Sequence, residues 1–117
     1  VKVIKIKLPE MDNTAALTHV KEVFKHYLTC RVSTNLQAIE WTKTVEECVD
    51  KLTGREKEVI EKRYMKELYM TDYKVFNHLL YEPISKDTYT KIRNSAVAKL
   101  VVMFIENEII QEDNTDD

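Results

Sequence analysis

A chain with one glycine and two prolines in 117 residues has few places where it can turn sharply. Sandwiches and barrels of short strands need a tight turn about every 8–12 residues, and glycine commonly supplies the positive φ that such turns demand. A doubly wound nucleotide-binding fold needs a glycine-rich phosphate turn as well. Both are all but excluded, and an all-α fold of helices joined by short polar connections remains. The 44% hydrophobic share supports a modest core, and the length suits one compact domain or two very small ones.

The apolar run Val101–Ile105 is far too short to span a bilayer. The opening Val1–Leu8 lacks the apolar core and cleavage site of a signal peptide. Cys30 and Cys48 do not make a disulfide framework and are expected to be reduced thiols in a cytoplasmic protein, a Cys30–Cys48 bridge being the alternative. The net charge of −2 hides an asymmetry. No Lys or Arg follows Lys99, whereas Glu106, Glu108, Glu112, Asp113, Asp116 and Asp117 do, so residues 1–100 carry 18 basic against 14 acidic side chains. A mildly basic body with an acidic tail is common among proteins that touch nucleic acid.

Five helices are expected. Val1–Leu8 alternates as an extended arm or edge strand and stops at Pro9. Asp12 or Asn13 caps a first helix over about 14–29, with Leu17, Val20, Phe24, Tyr27 and Leu28 inward. Leu36, Ile39, Val45, Val49 and Leu52 place a second over about 36–51, with Trp41 off that line as a contact to another segment. Thr53 and Glu56 read as a capping box opening a third helix, Gly54–Met65, which turns Val59, Ile60 and Tyr64 inward. Thr71 or Asp72 caps a fourth, to about Leu80, with Val75, Phe76, Leu79 and Leu80 apolar. Pro83 breaks the chain, and Ser85 caps the last helix from Lys86 to about Ile110, with Tyr89, Ile92, Ala96, Leu100, Met103 and Phe104 as its buried stripe. This divides the chain into an arm and helical pair (1–51), a three-helix unit (52–110) and an acidic, disordered tail (111–117).

Two short amphipathic helices after a supporting helix describe a helix-turn-helix. Its first helix braces across the nucleic-acid backbone, and its second lays its leading turns in the major groove. Ser85–Lys99 has the required plan: Tyr89, Ile92 and Ala96 inward, and Lys86, Asp87, Thr88, Thr90, Lys91 and Arg93 available outside. Ser85 at the helix N-terminus also suits a phosphate oxygen.

The stretch Leu52-Thr-Gly-Arg-Glu-Lys-Glu-Val-Ile-Glu-Lys-Arg-Tyr-Met65 resembles the opening of the promoter-binding region four of bacterial sigma factors. Ile84–Leu100 is similar to that domain's recognition helix. The whole arrangement resembles phage regulators of the autolysin regulatory protein (ArpU) family. This resemblance implies a sequence-specific DNA-binding regulator of late phage genes, such as those for packaging and lysis, in the bacterial host cytoplasm. It places groove contacts on Lys86, Asp87, Thr88 and Lys91 and phosphate contact on Arg63; Lys74 joins them as a DNA-contact candidate. The chain departs from the sigma pattern in three ways: Phe76 stands near a position that is usually small, the turn Leu80–Ile84 is about three residues longer and lacks Gly, and Thr88 stands where Arg is common.

Each feature has a plainer reading. Lys86, Lys91 and Arg93 could form an ordinary solvated face, Asp87 could act on the helix dipole, and His78 reads as a surface or turn residue with phosphate contact as the alternative. Tyr89 and Trp41 read as core. His26 and Cys30 have a metal-compatible spacing but no second pair, so no metal, cofactor or enzymatic activity is expected. The run Val101–Ile105 covers every side of a helix, so either the first helix or a second chain must bury it. A homodimer is the expected assembly, double-stranded DNA the expected partner, and RNA polymerase a candidate one. The alternatives are a DNA-recognition subunit of a phage packaging complex and a protein-interaction module that docks on RNA polymerase.

Overall fold

The computed structural model describes residues 12–111, and all five elements in it are helical. They are α1 (Asn13–Cys30), α2 (Leu36–Asp50), α3 (Gly54–Tyr64), α4 (Asp72–Lys74, continuing as a π-helical turn Val75–Leu79) and α5 (Lys86–Glu106). The expected arm at 1–8 and most of the acidic tail lie outside the described residues.

Side-chain caps open four of the five helices. Asp12 accepts from the Ala15 amide at 2.7 Å, Asn35 from Gln37 and Ala38, Thr71 from Lys74, and Ser85 from Thr88. The exception is α3, and here the expected capping box is corrected. The Thr53 side chain makes no cap bond, and only its carbonyl receives the amides of Glu56 and Lys57. The Glu56 carboxylate accepts instead from Lys99 at 2.9 Å and Ser95 at 2.8 Å, both on α5. A charged tertiary donor outcompetes a neutral local amide, since hydrogen bonds to ionised groups are about twice as strong as neutral ones. Gly54 takes φ +41°, a conformation that suits the chain's one glycine.

The main core draws on α1, α2, α3 and α5 together, so its buried residues come from both sides of the boundary expected near residue 51. Phe24 of α1 is its hub. The ring stacks on Tyr64 of α3 at 5.5 Å and meets Phe104 of α5 edge-on at 6.0 Å. Val101, Phe104 and Ile105 are buried within this single chain, with Val102 and Met103 half-buried. The run therefore finds its cover in the chain's own helices and requires no second chain to bury it.

In α2 the buried stripe is Thr42, Val45, Cys48 and Val49, continued by Leu52. Leu36 and Ile39, expected on that stripe, are 75% and 44% exposed, because the first turn of α2 has no helix covering it. Trp41 makes the expected contact with another segment, meeting the edge of His26 on α1 at 4.7 Å. Both cysteines are free thiols.

A second, smaller core joins α3, α4 and α5 through Val59, Val75, Leu80 and Tyr89. The π-helical turn decides which residues of α4 reach it. The Leu80 amide bonds to the Val75 carbonyl, five residues back, so Leu80 shares the buried side with Val75 while Leu79 stays partly exposed. An ordinary α-helix would have buried Leu79.

Helix α5 stops at Glu106, four residues before the expected end, in a Schellman motif. The amides of Glu108 and Ile109 bond to the carbonyls of Ile105 and Phe104, and Glu108 takes φ +60°. Ile109 and Ile110 then fold back onto the core.

Candidate nucleic-acid interface

Helix α5 is buried differently along its length. From Ala96 onward it passes through the main core, whereas the apolar contacts of its first turns are made by Tyr89 and Ile92. Ser85, Lys86, Asp87, Thr88 and Lys91 are consequently exposed, and Thr90 is half-buried. Neither Lys86 nor Lys91 enters an ion pair among the described residues, nor does the exposed Lys74 of α4. The Ser85 hydroxyl is already engaged. It accepts from the Thr88 amide and donates to the Thr88 hydroxyl at 3.0 Å, so its first task is to hold the helix end.

The two candidate arginines lie elsewhere than a solvated reading face. Arg63 and Arg93 have side chains only 15% exposed, and both are committed to Asp72 at the start of α4. Arg63 Nε donates to Asp72 Oδ1 at 2.8 Å, and Arg93 Nη1 to Oδ2 at 3.2 Å. The Tyr89 hydroxyl donates to Oδ1 at 2.6 Å. One carboxylate thus joins α3, α4 and two positions of α5. Burial pushes the Asp72 pKa upward, but the Tyr89 hydroxyl, Arg63 and Arg93 outweigh it and hold the carboxyl below its ordinary value. Tyr89 moves the opposite way, raised by burial and by its bond to the carboxylate. The Arg63 guanidinium also lies 4.7 Å from the centre of the Tyr64 ring. Burial raises that phenol to about 12, with the nearby arginines opposing. Arg63 and Arg93 therefore stand apart from the exposed face of Lys86 and Lys91, held against Asp72 where they fix the attitude of α5.

The turn between α4 and α5 is anchored rather than glycine-bent. The Tyr81 amide donates to Glu58 Oε2 at 2.6 Å, and Glu82 pairs with Arg55 at 3.0 Å, so α3 holds the turn from both sides of Tyr81. These partners fix the path of a long connection that contains no glycine.

Asp72 had one signal in the sequence. It and Glu82 are the only acids between Glu67 and Asp87, and Asp72 is placed where a helix begins. Local spacing does not reveal its partners, which stand nine, seventeen and twenty-one residues away.

At the level of class, the described residues form an all-helical fold in which α3, α4 and α5 present the start of a long helix to solvent. No family model, curated protein or solved structure matches it. Among the described residues no helix is long and apolar enough to cross a membrane.

Proposed function

We propose that the chain is a sequence-specific DNA-binding transcriptional regulator, which reads the major groove with the leading turns of α5 and anchors on phosphates with Lys74, Lys86 and Lys91. The observation that carries the reading is the exposure of Lys86, Asp87, Thr88 and Lys91 on a helix whose other half is locked in the core. A probe of this kind must be rigid behind and free in front, since a base contact needs a fixed helix angle. The Asp72 network supplies that fixity on the second helix-turn-helix element, and the unpaired lysines supply attraction to phosphate. The resemblance of Leu52–Met65 and Ile84–Leu100 to sigma region four, and of the whole arrangement to the ArpU-type regulators, extends the proposal to late phage genes.

The test is fluorescence anisotropy on duplexes from the promoter region of neighbouring genes, over a salt series. Wild type should lose affinity as salt rises, and Lys86→Ala with Lys91→Ala should flatten the slope of log K against log salt by about two. Binding without salt dependence, or unaffected by the double substitution, would overturn the reading.

A further inference from the structure

The junction around Asp72 is short of acceptors. It sets two guanidinia against one carboxylate. Two buried donors at its edge, the Tyr64 hydroxyl and Arg93 Nε, have no hydrogen-bond partner among the described residues. Arg63 spends its Nε on Asp72, and no acceptor among the described residues takes its two Nη groups. Arg63 and Tyr64 also line an open cleft of about 210 Å³ between α1 and the end of α3.

The cleft has an apolar wall and a charged edge. Phe24, Leu28 and Leu68 supply the wall, and Leu68 is 52% exposed. Lys21 and Lys25, one turn apart on α1, stand exposed at the edge, and neither enters an ion pair among the described residues. Glu22 and Glu67 line it as well. Lys21, Lys25, Arg63 and Arg93 thus face Glu22, Glu67 and Asp72, which leaves one positive charge unmatched. Two unpartnered Nη groups on one guanidinium present the paired donors that suit the two oxygens of a carboxylate.

We propose that the cleft between α1 and α3 binds a small apolar carboxylate, its head on the Arg63 Nη groups beside Lys21 and Lys25 and its hydrocarbon body on Leu28 and Leu68. Charge and size decide the occupant. A single unmatched positive charge calls for a monoanion, whereas a phosphate ester brings about −1.5 to −2 near neutral pH and would meet Glu22 and Glu67. Drug-sized ligands fill about 300–1,000 Å³, so this cleft suits a smaller molecule. A short branched-chain fatty acid and a free apolar amino acid share the required head and body, and the amino acid adds an ammonium group for Glu22 or Glu67. The site also meets α5 through Arg63, because its Nε holds the carboxylate that holds Tyr89 and Arg93.

The experiment titrates the full chain, without nucleic acid, with 4-methylpentanoate, leucine and the uncharged 4-methylpentanamide, and follows the Leu28 and Leu68 methyl signals by NMR. Both signals should shift on wild type and saturate in the millimolar range. The amide keeps the body and loses the charge, so it should bind at least about tenfold more weakly. Lys21→Ala with Lys25→Ala should weaken the carboxylates about two- to tenfold, with the larger loss at low salt. Arg63→Lys keeps a cation beside Asp72 but loses the paired donors, and should weaken them about tenfold or more. Leu68→Ala, at an exposed position away from Asp72, should weaken them about three- to tenfold, read from the Leu28 signal. Circular dichroism melts check each fold. Binding of either carboxylate in this pattern upholds the proposal, and the tighter one names the source. Unmoved Leu28 and Leu68 signals at about 50 mM ligand, or an amide that binds as tightly as the acid, overturn it. Wild-type affinity in both the Arg63 and the Lys21/Lys25 variants also overturns it. Each of these results leaves the DNA-binding reading untouched.

Discussion

The Tyr89 hydroxyl lies 2.6 Å from Asp72 Oδ1, across the gap between the start of α5 and the start of α4. Arg63 shares that oxygen and Arg93 takes the other, so this bond is the centre of a junction of three helices. Tyr89→Phe should cost about 1 kcal/mol, and Asp72→Asn about 1–3 kcal/mol because it also strands two half-buried guanidinia. Urea unfolding of both single variants and the double variant closes a thermodynamic cycle. A coupling energy above about 0.5 kcal/mol is expected, and strict additivity would refute the junction.

Acid should weaken this junction. The folded Asp72 carboxyl lies below its ordinary value. Its contribution is therefore complete above the unfolded carboxyl's pKa of about 3.9 and is lost as pH falls through the lower folded value. Stability measured by urea midpoint should fall in that acid window, and the fall should be shallower in Asp72→Asn. Identical acid limbs in the two proteins would contradict it.

Thr53→Ala should change stability by less than about 0.5 kcal/mol, although a working cap residue typically costs about 1 kcal/mol to remove. The hydroxyl makes no cap bond, and the carboxylate that would complete a box is held by Lys99 and Ser95. A thermal melt distinguishes the two outcomes.

Two left-handed positions should respond in opposite directions. Gly54 stands at φ +41° with open space around its missing Cβ, so Gly54→Ala meets backbone strain alone and should cost about 1–2 kcal/mol. Glu108 stands at φ +60° in the Schellman motif, where glycine is the preferred residue. Glu108→Gly should stabilise by about 0.5–1 kcal/mol and raise Tm by a few degrees.

The helices of this protein are readable from local chemistry. The expected starts of α1 at about 14 and α5 at Lys86 fall within a residue of those observed, because Asp12 and Ser85 are near neighbours of the amides they cap. Tyr89 reads as core from its spacing to Ile92 and Ala96, and it is buried. Spacing fails where a neighbour in space overrides it. It extends α2's stripe to Leu36 and Ile39, which no helix covers, and it names Leu79 and Leu80 alike as apolar, where the π-helical turn buries Leu80 alone. In the candidate site, Lys86, Asp87, Thr88 and Lys91 are legible as an outward face. Arg93 is expected outside with them, yet its place two residues from Lys91 puts it on nearly the opposite side of the helix, bordering the buried stripe, where Asp72 holds it.

Scarcity of glycine and proline, together with capping residues and apolar period, determined that this chain would be helical and roughly where each helix begins. Those forces act between residues one to four positions apart, so they are written in the order of the sequence. The tertiary structure alone decided which charges face water and which are spent inside. Asp72 selects Arg63, Tyr89 and Arg93, and Glu56 selects Lys99, through contacts whose members are distant in the chain and adjacent only once the helices have packed.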